Sequence, residues 1–182
     1  MVVFNVPRAG RYESSYTREL IHNMFHANYV LFRMGFGICC DDVEEIVNSF
    51  AAMHRVYSKI NLIKTHYFEI FIDYDIQKET VFKVAQMVGR MIYDNGFQNF
   101  VTVVDTGDNY LVAVALNAVS YQTGTLFHDN NACYFGIFKF IKGLFSKSIE
   151  VNFTENTFLT RIKEKEIIVM ECIFEKCIVC CI

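Results

Sequence analysis

The sequence predicts an α+β fold, an antiparallel sheet of four to five strands with helices packed on one side, in a single domain. Three observations carry this. The stretch FVTVVDTGDNYLVAVAL holds two strand-like runs, Phe100 to Val104 and Tyr110 to Leu116, joined by Asp105, Thr106, Gly107 and Asp108; strands joined by so tight a turn must be antiparallel. Apolar residues recur at three- and four-residue spacing in segments before and after that hairpin, the mark of amphipathic helices. The order is three helices with a strand between the second and third, then strand, strand, helix, strand, strand, so helices are expected to cover one face of an antiparallel sheet.

In chain order, a short apolar start (Val2, Val3, Phe4, Val6) precedes a helix capped by Ser14 or Ser15. Its apolar positions Ile21, Met24, Phe25 and Phe32 carry it to Gly35. Asp41 and Glu44 stand at capping-box spacing before a second helix, with Val43, Ile46, Val47, Phe50 and Tyr57 on one face. HYFEIFID, residues 66–73, alternates as a half-buried strand, Phe68, Ile70 and Ile72 inward and Glu69 and Asp73 outward. A third helix is marked by Val81, Val84, Ala85, Val88, Met91 and Ile92, and Asn95-Gly96 supplies its left-handed stop. After the hairpin, Asn130 or Asn131 starts a helix over CYFGIFKFIKGLF, residues 133–145. IEVNFTE and EIIVMECIF then read as two strands around the charged turn RIKEKE, and residues 175–182 form a Cys-rich tail.

Composition bounds the function. Of 182 residues, 53% are hydrophobic and 20% charged, with 18 Phe and 10 Tyr. That apolar supply exceeds the usual share and predicts a homodimer, an apolar ligand or an unusually large core. The net charge of -3 offers no basic stripe for nucleic acid. No apolar run is long enough to span a membrane, and MVVFNVPRAGR lacks the apolar core of a signal peptide, so a soluble cytoplasmic protein is expected. Seven cysteines in such a chain are expected to be reduced thiols.

Several reaction classes lack their motifs. MGFGICC has two glycines but no third at dinucleotide-fingerprint spacing, and there is no Walker loop, GxSxG or HExxH. His22 and His26 stand four apart on one helical face, within reach of one metal ion, although such a pair more commonly forms only hydrogen bonds. Cys177, Cys180 and Cys181 form a CxxCC tail without a second pair of zinc-ligand residues.

The hairpin region NGFQNFVTVVDTGDNYLVAVALNAV, then ACYFGIFKFIKGLFSKS, IEVNFTEN and ECIF resemble, in that order, the C-terminal half of the 4-vinyl reductase-type domain. That superfamily includes aromatic-sensing domains of bacterial transcription activators and the TRAPP vesicle-tethering subunits. The resemblance covers residues 80–174 and implies that helix 133–145 and the sheet beneath enclose a hydrophobic chamber, with Gly136 and Gly143 allowing close approach. It implies a ligand wall of Tyr134, Phe135, Phe138, Ile141 and Phe145. It also implies a zinc set in which Cys133, Glu155 and Cys172 match three of four donors, leaving His128 or Cys177 to complete it. Read without the resemblance, Cys133 and Cys172 are small buried apolar residues, and Glu155 is a strand carboxylate paired with Lys139 or Lys163. The expected function is a small-molecule-binding sensor, carrier or accessory protein for an apolar or aromatic guest. The alternatives are a TRAPP-like scaffold subunit without ligand and a tetrapyrrole-related reductase, for which no nicotinamide or flavin site is recognisable.

Overall fold

A computed structural model describes residues 1–7, 15–59, 64–128 and 131–145 and the backbone of 149–154. The chain runs β1 (Val2–Pro7), α1 (Tyr16–Phe25), β2 (Val30–Phe36), α2 (Val43–Val56), β3 (Thr65–Asp73), α3 (Lys78–Asp94), β4 (Asn99–Asp105), β5 (Asn109–Asn117), α4 (Asn131–Leu144) and β6 (Ile149–Thr154). These strands form one sheet in the order β2-β4-β5-β3-β1-β6. The first five are antiparallel, as expected. β6 adds a sixth, lying parallel to β1 in the register Val2↔Ile149 to Pro7↔Thr154.

Helices lie on both faces rather than on one. Phe68, Ile70 and Ile72 of β3 share a cluster with Val101 and Val103 of β4, Val112 and Val114 of β5, and the buried residues of α3 and α4. The intervening residues Tyr67, Phe100, Leu111, Ala113 and Ala115 join Leu20, Ile21 and Met24 of α1 and Ile46 and Phe50 of α2. Successive strand residues point to opposite faces, so a sheet covered twice buries both sets. For this reason Glu69, expected on a solvent face, is 0% exposed.

The N-terminal region is less helical than expected. α1 ends at Phe25, and Val30–Phe36 is an edge strand against β4, with Arg33 opposite Thr102 and Phe36 opposite Asn99. The sequence VLFRMGF fits both periods; its strand form is settled by the ladder that β4 offers and by Phe32 stacking on Phe82 of α3, centroids 5.4 Å apart. The apolar start becomes β1, an interior strand between β3 and β6, which explains why Val2, Phe4 and Val6 are fully buried.

Local signals elsewhere act as expected, with small shifts. The α2 cap is Asp42, whose side chain accepts from the Glu45 amide at 2.8 Å, one residue beyond the expected pair. Asn95 is the C-cap of α3, and Gly96 takes φ +94 to turn the chain into β4. In the β4–β5 turn Gly107 has φ +88, and its amide donates to Asp105 Oδ1 at 3.0 Å.

Candidate functional site

α4 begins at Asn131, one of the two residues expected to start it. Tyr134, Ile137 and Ile141 are 0%, 6% and 0% exposed and enter the same core as Val2, Phe4 and Val6 of β1. Phe138 lies against Phe4, centroids 6.3 Å apart, and Tyr134 meets Phe127 edge-on at 5.6 Å. The helix is therefore amphipathic: Gly136, Lys139, Lys142 and Gly143 are exposed, while Phe135, Phe138, Phe140 and Phe145 are half-buried. The expectation that Gly136 and Gly143 permit close approach is corrected, because a Cβ at either would meet nothing within 4 Å. The close approach falls instead at Gly89 of α3, where a Cβ would stand 2.2 Å from Phe36 Cε2.

Of the ligand wall expected around α4, Tyr134 and Ile141 are in the core, Phe138 and Phe145 flank it, and half-buried Phe135 lies against Phe138 with ring centroids 6.0 Å apart. On the outer side, α3 and α4 leave an open groove of about 380 Å³ lined by Gln86, Met87, Arg90, Met91, Asp94 and Phe140. Its floor is apolar, and Met87 stands 47% exposed. Its rim is charged, with Arg90 Nε 2.9 Å from Asp94 Oδ1 one helical turn later. Thioether side chains are unbranched and polarisable, which suits a surface that must fit an irregular apolar group. Met91 and Phe140 were legible as apolar helix positions; that they meet on an outer surface depends on how α3 and α4 pack together.

Cys133 is half-buried in the first turn of α4 and His128 is exposed, while Glu155, Cys172, Cys177, Cys180 and Cys181 lie outside the described residues. His22 of α1 and His26, its C-cap residue, are exposed with ring centroids 4.7 Å apart. Among the described residues, no third donor joins them. Cys39, Asp41 and Glu45 are the described residues that bring three such side chains together, with ligand atoms within 4.8 Å of one another and all three exposed. Hydrogen bonding to the Glu45 carboxylate is the main cause that pushes the Cys39 thiol up to about 11, with the Asp41 backbone amide opposing it. The signal for this cluster is the run CCDDVEE, in which a thiol precedes four closely spaced carboxylates.

Two buried polar groups complete the interior. On the α1/α2 face Glu69 accepts from Asn5 Nδ2 through Oε2 and from the Tyr67 hydroxyl at 2.9 Å through Oε1. Burial first, and then the Glu69 charge, raise the Tyr67 hydroxyl well above its ordinary value. At the far end of β5, Asn117 donates to Phe50 O at 3.2 Å and to Gln98 Oε1 at 3.0 Å, and its Oδ1 lies 3.1 Å from His54 Nε2. Gln98 in turn donates to Gly37 O at 2.8 Å. This chain ties α2, β5 and the segments before β4 and after β2 together, and a buried polar chain with its partners in place fixes one arrangement of the elements it joins.

No family model, curated protein or solved structure matches the chain. Among the described residues no helix is long and apolar enough to cross a membrane.

Proposed function

We propose that the protein is an interaction module, the scaffold reading of the sequence, and that the groove between α3 and α4 is its recognition surface for an apolar side chain or helix face of a partner protein. The single observation that carries this is the division of α4. Tyr134, Ile137 and Ile141 fill the protein's own core, while Phe140 lies with Met87 and Met91 in a groove open to solvent. A small guest is normally held in a site that covers most of its surface, whereas an open groove with a charged rim suits a protruding side chain on another chain.

A second reading, an apolar or aromatic small molecule held between α4 and the sheet, is supported by Phe138 and Phe145 being only half-buried beside the core. The resemblance of residues 80–174 to the 4-vinyl reductase-type domain supports the same reading. Native mass spectrometry of the gently purified chain separates the two. Protein-sized adducts that disappear in Met87→Asp are the expected result. A small apolar adduct that disappears in Phe138→Ala and survives Met87→Asp establishes the second reading, and a bare chain in every sample removes both.

A further inference from the structure

The end of α1 brings two imidazoles together. His22 lies in its last turn and His26 is its C-cap; both are exposed, with ring centroids 4.7 Å apart and ring planes 49° to one another. The backbone fixes their spacing, since the His26 amide donates to His22 O at 2.9 Å. A histidine pair of this kind commonly serves only to hydrogen-bond. Here neither ring makes a hydrogen bond or ion pair with another described residue; besides each other, the contact is His26 edge-on to Phe25 at 5.1 Å. Two nitrogens held at about 2.0–2.1 Å from one tetrahedral ion stand about 3.3 Å apart, and rings this close reach that separation by side-chain rotation alone. The place also suits a cation, because the carbonyls of a helix's last turn carry partial negative charge. Of the charged neighbours, exposed Glu19 stands one turn before His22, and Arg33 lies over the Phe25 ring at 4.3 Å. One favours a cation and the other opposes it, so the imidazole donors rather than the net field decide what binds.

We propose that His22 and His26 form a two-imidazole site for a divalent transition ion of the zinc, nickel and copper class, held across the end of α1 with its remaining positions open to solvent. Neutral imidazole suits these ions, whereas magnesium and calcium take oxygen donors. The site is independent of the α3–α4 groove, because α1 packs on the opposite face of the sheet.

The test is titration of the metal-stripped full chain with zinc chloride, followed by heteronuclear NMR of its five histidine side chains. Each ring is read separately, so zinc taken up by the seven cysteines does not obscure the result. The rings of His22 and His26 are expected to shift together with one common midpoint, and magnesium chloride is expected to leave both where they are. His22→Ala should raise the zinc concentration that His26 needs by roughly tenfold or more, and His26→Ala should do the same to His22, because the second donor binds intramolecularly. Both residues are exposed, so neither substitution empties the core. Separate midpoints for the two rings overturn the proposal, as does a ring that binds zinc as tightly after its neighbour is replaced, or the absence of any shift up to millimolar zinc.

Discussion

Gly89 and Gly136 are both helical glycines, and their surroundings set opposite outcomes for the same change. Gly89→Ala drives a methyl group into the ring of Phe36, and overpacking of that kind costs about 1–3 kcal/mol. Gly136→Ala on exposed α4 meets open space and is expected to stabilise by about 0.5–1 kcal/mol through reduced backbone entropy. Urea denaturation of the two variants checks both signs. Cys39 gives a second test at this scale. With its thiol held up at about 11, it stays protonated through neutral pH, so alkylation rises only as the pH climbs toward that value. Glu45→Gln removes the main cause, and roughly tenfold faster iodoacetamide labelling of Cys39 is expected at pH 8, read by peptide mass spectrometry.

Individual elements differ in what holds their ends. Asp42 caps α2 through its side chain, whereas Ser15 at the start of α1 makes no side-chain cap bond. Asp42→Ala is expected to cost about 1 kcal/mol, and Ser15→Ala much less, in thermal or urea unfolding. α1 and α2 are also joined by the exposed ion pair of Arg18 with Glu44, which at a solvated surface contributes little. The connections around β5 depend on Asn117. Replacing it with Ala removes a bond from Gln98 Oε1 and from the Phe50 carbonyl and one of the contacts of His54 Nε2, which keeps Lys64 O at 3.2 Å, and a buried group left unpaired costs roughly 1–3 kcal/mol. An Asn117→Ala chain is expected to lose more stability than any single cap variant.

For the whole molecule, the sheet is the common wall of two cores. α3 and α4 close one and α1 and α2 the other, so the faces share every central strand. Ile141→Ala empties space at the point where α4 meets the first core and is expected to cost about 2–5 kcal/mol. The loss should appear in a single cooperative transition seen alike by far-UV circular dichroism and tyrosine fluorescence, because neither helical layer has a sheet of its own to retain.

By itself the sequence determined the elements whose signals are local. The β4–β5 hairpin was legible because its turn chemistry acts within four residues, α3 because its apolar stripe and the Asn95-Gly96 stop are continuous, and α4 as a helix because its apolar run follows a starting Asn; which of its sides is buried was not. What only the tertiary structure decided depends on distant partners. Val30–Phe36 is a strand because β4 supplies its ladder. Val2–Pro7 is an interior strand because β3 and β6 flank it, and Glu69 is buried because α1 and α2 cover the second face. The groove of Met87, Met91 and Phe140 exists because two helices far apart in sequence pack side by side on one face. Turns and helical stripes are written in neighbouring residues; sheet order and the meeting of helices are set by which buried surfaces, distant along the chain, exclude water together.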